Sequence, residues 1–316
     1  MPDRFYERAL ELAERGRGKT GHRPVVGAVV VRDGEIVGEG WYEDELIRHA
    51  ERIALEQVGE KARGATLYVT LEPCSHHGRT PPCADAVVAA GVARVVVGAR
   101  DPNPIVDGRG IARIADAGIE VDLLDDLAAR RQNEAWRTWK ALGRPFVTYK
   151  AAITLDGRVT VPGRRWVSGE ESRRRVHELR AASDAVAVGM GTVRADNPRL
   201  DARDVGAARQ PRRIAFGRGP LPVGSELELR SGQLADELAA LAEEGVQSLL
   251  LEGGPTVATA FVEAGLVDKL LLFVAPVLSG DGPRWLGDLP QPLELRHLRS
   301  EPSGEDILVE AYLREP

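Results

Sequence analysis

The sequence predicts two α/β domains in succession. Strand-like and helix-like segments alternate along the chain, an order that is typical of layered α/β sheets. A length of 316 residues is sufficient for two hydrophobic cores. The segment Gly143-Arg144-Pro145 interrupts the pattern, so we place the boundary there and expect domains at residues 1–144 and 145–316.

The elements of the first domain follow from local patterns. Apolar residues at helical spacing predict a helix over residues 5–15, and the β-branched run 25–31 predicts a buried strand. Asp33-Gly34 is a hairpin signal, so residues 35–40 are expected to form the return strand. Further elements are helices beginning at His49 and Ala84, strands at 65–71, 92–98 and 119–124, and an arginine-rich helix at 127–142.

The second domain repeats the alternation after the break. We expect its strands at residues 146–152, 185–189, 212–216, 248–251, 269–275, 293–298 and 307–313. Glycine-rich turns follow two of them, as Val188-Gly189-Met190-Gly191 and Leu251-Glu252-Gly253-Gly254. Glycines between a strand and a helix allow backbone N–H groups to contact phosphate, so two such turns indicate a ligand with several phosphates.

Composition excludes several classes of protein. The net charge of −6 is spread along the chain without a block of like charges, which disfavours a nucleic-acid-binding surface. The N-terminus lacks the apolar core of a signal peptide, and no apolar run is long enough to span a membrane. We therefore expect a cytoplasmic protein, in which its two cysteines are reduced metal ligands rather than a disulfide.

The most informative motif combines a histidine, a glutamate and both cysteines. His49 and Glu51 lie at the start of a predicted helix, Cys74 follows a strand, and Cys83 begins the next helix. Two thiolates and an imidazole hold Zn²⁺ and leave a fourth position for water, and the glutamate can transfer protons. This pattern indicates a zinc-dependent deaminase, with His49, Cys74 and Cys83 as ligands and Glu51 as the catalytic residue.

These residues also allow other interpretations. His76 and His77 lie between the cysteines and could compete as ligands, although three ligands already leave the open position that catalysis requires. A non-catalytic zinc and nucleotide-binding protein would have no use for Glu51. A nucleic-acid deaminase would need a basic groove and aromatic stacking platforms, whereas aromatic residues make up 5% of this acidic chain.

The cysteine loop closely resembles one family. Residues 70–83 read TLEPCSHHGRTPPC, as in the bifunctional deaminase–reductase of bacterial riboflavin biosynthesis, and the eight-residue cysteine spacing fits that family rather than tRNA or cytidine deaminases. Residues 101–104 (DPNP) and 108–110 (GRG) are similar to its next segment. In the second domain, the similar segments are KAAITLDGR at 150–158, RWVSG at 165–169, VGMGTVRADNP at 188–198 and LEGGPT at 251–256.

The resemblance implies a fold, two activities and a set of residues. A cytidine-deaminase-like three-layer α/β domain would precede a dihydrofolate-reductase-like α/β domain. The first would remove the 2-amino group of a phosphoribosylaminopyrimidine, and the second would use NADPH to reduce its ribosyl group to ribityl. The positions matching NADPH contacts are Ala152, Trp166, Thr192, Asp196 and Gly254. Those matching reductase substrate contacts are Arg180, Leu200, Arg203 and Glu252. The family also implies a homodimer or larger homo-oligomer.

The chain departs from the family pattern at Leu46-Ile47-Arg48, which replaces a small, glycine-rich approach to His49, in a shorter region 204–225, and at three single positions. Arg23 stands where an Asn is frequent, Tyr42 where a His is usual, and Arg164 where a Ser is usual. These changes concern substrate recognition rather than zinc chemistry. A paralogue that acts on another aminopyrimidine therefore stays open as an alternative.

Overall fold

The structure, a computed structural model, describes residues 3–42, 48–78 and 81–316. Arg79 and Thr80 of the cysteine loop lie outside the described residues. The chain divides into two compact units, Met1–Leu142 and Gly143–Glu315, and each contains one sheet. None of the helices in the described ranges has the length and apolar character needed to cross a membrane.

The first unit is a five-stranded sheet between two layers of helices. In chain order, its elements are α1 (Arg4–Arg15), β1 (Gly27–Arg32), β2 (Glu35–Trp41), α2 (Ala50–Val58), β3 (Thr66–Leu71), α3 (Cys83–Ala90), β4 (Arg94–Ala99), α4 (Arg109–Asp116), β5 (Glu120–Leu123), α5 (Leu127–Gln132) and α6 (Glu134–Leu142). The strand order is β2-β1-β3-β4-β5, in which β1 is antiparallel to β2 and β3 while β3, β4 and β5 are parallel.

Two apolar clusters cover the two faces of this sheet. Residues of α2, α3 and α4 pack on one face, and residues of α1 and α5 pack on the other. The central strands are buried on both sides, which explains their continuous apolar runs. Gly40 of β2 permits the close approach of α2, because a Cβ there would lie 2.2 Å from the Ala50 carbonyl oxygen. The first turn of α2 therefore lies directly against β2.

The second unit is built on an eight-stranded mixed sheet. Its elements are β6 (Phe146–Thr154), α7 (Glu170–Ala182), β7 (Ala185–Gly189), α8 (Met190–Asp196), β8 (Arg212–Phe216), β9 (Glu228–Arg230), α9 (Leu234–Glu243), β10 (Ser248–Leu251), α10 (Pro255–Glu263), β11 (Lys269–Ala275), β12 (Arg296–Ser303) and β13 (Asp306–Tyr312). The strand order is β12-β13-β11-β6-β10-β7-β8-β9. The six strands from β11 to β9 are parallel, and β13 and β12 are added antiparallel.

Two sequence-based predictions of elements were wrong in detail. The helix expected over 127–142 is two helices, because Asn133 leaves the helical conformation and bonds to the backbone of Val25. The late strand expected over 293–298 is β12, which begins at Arg296. Its residues are mostly exposed at the edge of the sheet, so apolar alternation could not locate it.

Candidate functional site

The ends of three elements of the first unit position a histidine and two cysteines. His49 is the N-cap residue of α2, Cys74 follows β3 by three residues, and Cys83 is the first residue of α3. Both helices direct their N-termini, the positive end of the helix dipole, at this place, which favours thiolate. The Cys83 amide also donates a hydrogen bond to Cys74 Sγ at 3.3 Å.

The three side chains fit a zinc ion. His49 Nδ1 lies 3.5 Å from Cys74 Sγ and 3.2 Å from Cys83 Sγ, and all three ligand atoms lie within 4.8 Å of one another. Tetrahedral zinc, with bonds of about 2.1 Å to nitrogen and about 2.3 Å to sulfur, places N and S roughly 3.6 Å apart. The donor set of one imidazole and two thiolates is also the one that zinc prefers. It leaves one coordination position for water.

The two cysteines differ in pKa even without a metal ion. The hydrogen bond with Cys83 lowers the pKa of Cys74 to about 4, and the His49 hydrogen bond acts in the same direction. The same bond to Cys74, together with burial, raises the pKa of Cys83. The hydrogen bond to Cys74 raises the pKa of His49. One thiolate is therefore preformed, and a metal ion would displace the remaining protons.

Glu51 lies beside these ligands but is not one of them. It is in the first turn of α2, and its side chain is 3% exposed. Burial raises the pKa of Glu51, although His49 opposes this shift. A buried carboxyl with a raised pKa next to a metal site is suited to accept and donate a proton at neutral pH.

A cavity of about 200 Å³ opens onto Glu51 and onto two of the ligands, His49 and Cys74. Its lining residues are Arg23, Pro24, Val26, Tyr42, His49, Glu51, Leu71, Glu72, Cys74, His76, Gly78, Asp101, Asn103, Val106 and Trp136. His76 therefore faces the cavity and is outside the ligand cluster found among the described residues. Trp136 also lines the cavity, and its indole N–H donates to Asp101 Oδ1 at 3.2 Å. Its role was not predictable from the sequence, because a lone tryptophan carries no functional signal.

Two of the departures from the family pattern meet in the wall of this cavity. The Arg23 guanidinium donates a hydrogen bond to the Tyr42 hydroxyl. The Tyr42 ring meets the His49 imidazole edge-on, with ring centroids 5.6 Å apart. The third single position, Arg164, is exposed on a loop of the second unit. Arg23 and Tyr42 are thus hydrogen-bonded neighbours in the cavity wall. Their replacement of the usual family residues would affect substrate choice in the first unit.

In the second unit, an ion-paired cluster lies at the carboxyl end of β10. Arg180 of α7 donates two hydrogen bonds to Glu252, from Nε to Oε1 at 2.6 Å and from Nη2 to Oε2 at 3.0 Å. Lys150 Nζ of β6 lies 3.4 Å from Glu252 Oε2. Burial raises the pKa of Glu252, but Lys150 and Arg180 outweigh it and hold the pKa at about 2. From the sequence, Lys150 was predicted only as part of a motif, although a lysine inside a buried strand is itself an indication of a functional or paired residue.

The predicted substrate positions of this unit lie around one aspartate. Arg180 Nη1 donates to the Asp201 carbonyl at 3.1 Å, and Arg203 Nη1 bonds to Asp201 Oδ1 at 2.6 Å. Leu200, the preceding residue, is buried and has a φ of 53°, which is uncommon for a residue with a Cβ. The structure thus brings Arg180, Leu200, Arg203 and Glu252 into one neighbourhood.

The predicted cofactor positions are more widely spread. Gly254 is the N-cap residue of α10, and a Cβ there would lie 3.5 Å from Thr192 Oγ1 of α8, so these two turns are adjacent. Ala152 is on β6, and Asp196 is an exposed residue at the end of α8. Trp166 is 50% exposed on a loop, and Arg165 and Arg173 lie over its ring. The described contacts do not join Trp166 to the other four positions.

Family models match both parts of the chain. Residues 2–99 match the cytidine and deoxycytidylate deaminase zinc-binding region. Residues 145–309 match the RibD C-terminal domain. The first unit therefore has the cytidine-deaminase fold, and the second has the dihydrofolate-reductase-like fold of that C-terminal domain.

Relatives match the chain over nearly its whole length. It is 39% identical to the riboflavin biosynthesis protein RibD of Aquifex aeolicus, covering 96% of each chain, and 40% identical to that of Escherichia coli, covering 92% of each. The structure of Acinetobacter baumannii RibD superimposes with a TM-score of 0.84 at 35% identity and covers 98% of each chain. The deaminase/reductase of Thermotoga maritima superimposes with a TM-score of 0.81 at 35% identity, covering 98% of this chain and 97% of that one.

Proposed function

Since the chain belongs to the RibD family, it is a bifunctional deaminase and reductase of riboflavin biosynthesis, and we propose which of its residues carry the two reactions. The substrate of the first reaction is 2,5-diamino-6-(5-phosphoribosylamino)pyrimidin-4(3H)-one, and the product of the second is 5-amino-6-(5-phosphoribitylamino)uracil. We assign the deaminase to residues 1–144 and the reductase to residues 145–316. The separation into two compact units and the extents of the two family models support this division.

His49, Cys74 and Cys83 hold the zinc ion of the deaminase. Their mutual distances and the preformed thiolate support this assignment. When bound, the zinc polarises a water molecule so that it is a nucleophile near neutral pH. His49 and Cys83 lie at two helix N-termini, and Cys74 lies in the loop after β3, where the Cys83 amide donates a hydrogen bond to its Sγ.

Glu51 transfers the proton in this reaction. It accepts a proton from the water that attacks the 2-carbon of the pyrimidine, and it returns a proton to the departing nitrogen. A C–O bond forms, the C–N bond breaks, and the amino group leaves as ammonia. The burial that raises the pKa of Glu51 keeps it able both to accept and to donate. The position of Glu51 in the same cavity as the ligands His49 and Cys74 is the observation that carries the deaminase assignment.

The reductase reaction is assigned to the second unit. NADPH, when bound, supplies the hydride that converts the ribosyl group to ribityl, and C1′ of the opened sugar receives it. Ala152, Trp166, Thr192, Asp196 and Gly254 are proposed to bind the cofactor. Glycine turns before α8 and α10 offer backbone N–H groups to its phosphates, and at Gly191 a Cβ would meet no atom within 4 Å.

The reductase substrate is proposed to bind at the cluster around Glu252. Arg180 and Arg203 offer guanidinium groups of the kind that bind phosphate, and both donate hydrogen bonds to Asp201, the residue after Leu200. Glu252 would accept from hydroxyl groups of the sugar. Arg180 is already engaged by Glu252, so its geometry is set before substrate binds. A cytoplasmic location and a homodimer or larger homo-oligomer are also proposed, on the family resemblance alone.

Glu51→Gln tests the deaminase assignment. Because Glu51 is not a ligand, the variant should retain zinc while its rate of ammonia release falls by about 10²- to 10⁴-fold. Its reductase activity on the deaminated substrate, followed by NADPH absorbance, should equal that of the wild type. Glu60→Gln, at an exposed position, is the matched control. A zinc-containing wild type that releases no ammonia from this substrate would point to another aminopyrimidine.

A further inference from the structure

One buried carboxylate of the first unit accepts hydrogen bonds from four backbone amides. Glu72 directly follows β3 and is 4% exposed. Its Oε1 accepts from the amides of Gly110 at 2.9 Å and Ile111 at 3.2 Å. Its Oε2 accepts from the amides of Gly108 at 3.0 Å and Asp101 at 3.3 Å. Among the described residues, these four N–H groups are its hydrogen-bond partners.

Three of these amides form the N-terminus of α4. The N-cap residue of this helix is Gly108, which has no side chain with which to cap it. Glu72, 36 residues earlier in the chain, supplies the missing acceptors and a negative charge at the positive end of the helix. The contact is also close at the backbone, since a Cβ on Gly110 would lie 1.8 Å from the Pro73 carbonyl oxygen.

The fourth amide belongs to the wall of the cavity. Asp101 lies two residues after the end of β4 and begins a loop that lines the cavity. Asn103 and Val106 of the same loop also line it. Cys74 lies two residues after Glu72 in the chain, and its carbonyl accepts a hydrogen bond from the Ala84 amide of α3 at 3.1 Å. Glu72 therefore joins the turn that carries a zinc ligand to both α4 and the substrate side of the cavity.

We propose that Glu72 is a positioning residue of the deaminase, which holds Cys74 and the Asp101 loop in their working arrangement. This inference rests on the proposed function. A carboxylate is required because each of its two oxygens accepts two bonds. A glutamine retains one such oxygen and presents N–H groups to the other two amides. Residues that orient metal ligands typically change metal affinity or activity by about 10- to 100-fold when they are replaced.

Glu72→Gln in the full-length chain tests the proposal. We expect kcat for ammonia release to fall by about 10- to 100-fold and zinc to pass to a chelator faster than from the wild type. The reductase kcat on the deaminated substrate should be unchanged in the same preparation. Glu60→Gln, which replaces an exposed carboxylate, should leave all three quantities unchanged. Circular dichroism at the assay temperature establishes that the variants are folded.

A purely structural role would give a different result. Glu72→Gln would then lower the unfolding midpoint while kcat and the rate of zinc release of the folded protein stayed at wild-type values, and this outcome overturns the proposal. If Glu72→Gln does not fold, Glu72→Asp, which keeps both oxygens but is one methylene shorter, replaces it. Unchanged zinc release and kcat in Glu72→Asp would equally overturn the proposal. A wild type without zinc or ammonia release would instead refute the proposed function.

Discussion

Asn133 and Val25 are 108 positions apart in the sequence and exchange two hydrogen bonds. Asn133 Oδ1 accepts from the Val25 amide and Asn133 Nδ2 donates to the Val25 carbonyl, both at 2.9 Å. Asn133 is 4% exposed and separates α5 from α6. The pair fixes the segment that carries Arg23 and Pro24 into the cavity wall.

Replacing this asparagine should destabilise the first unit. Asn133→Ala leaves a buried N–H and a buried carbonyl of Val25 without their partner, so we expect the free energy of unfolding to fall by about 2 kcal/mol. Urea unfolding followed by circular dichroism measures the change. Gln57→Ala removes an exposed hydrogen bond to the Glu39 amide and should change stability by less than about 0.5 kcal/mol. Equal effects of the two substitutions would contradict the role of Asn133.

The ion pairs of Glu252 make the second unit sensitive to acid. Because the pKa of Glu252 is held at about 2 in the folded protein, below its unfolded value, its contribution is complete above the unfolded pKa of about 4.3. The contribution is lost as pH falls toward 2. Glu252→Gln should therefore be less stable than the wild type at pH 7, by about 3 kcal/mol, and the difference should close as pH falls through this range. Denaturant unfolding at several pH values measures it, and a difference independent of pH would refute the assignment.

A buried ion pair joins the start of β6 to β11. Arg144 donates two hydrogen bonds of 2.7 Å to Asp268, which is fully buried and also accepts from the Val147 amide at 2.8 Å. Asp268→Asn leaves the arginine charge buried without compensation, so we expect a loss of about 3–5 kcal/mol in the stability of the second unit. Asp288→Asn removes an exposed partner of Arg284 and is the control, with an expected change below about 1 kcal/mol. A small effect of Asp268→Asn would show that water reaches the site.

Local patterns in the sequence predict the strands and the metal cluster well. The buried runs that become β1, β3 and β4 are recognisable because both faces of the sheet are covered by helices. His49, Cys74 and Cys83 are recognisable because their residue types are rare and because each adjoins the end of a helix or strand. The chemistry of a zinc site restricts its ligands to few residue types, so short motifs suffice.

Features that depend on distant residues were not predictable in this way. Helix α4 has a glycine at its N-cap and another at its second position, and its capping group is Glu72 from another part of the chain. The break at Asn133 likewise depends on Val25, while the residues on either side favour a continuous helix. Lys150 meets Glu252 only because β6 and β10 are adjacent in the sheet.

Metal analysis of the purified full-length protein tests the central claim most directly. We expect about one zinc ion per chain in the wild type, and a loss of that zinc together with ammonia release in Cys83→Ser, because three ligands hold the ion. NADPH oxidation by the Cys83→Ser protein, when it is supplied with the deaminated substrate, should continue at the wild-type rate. A wild type that releases ammonia from the pyrimidine substrate while containing no zinc would contradict the account.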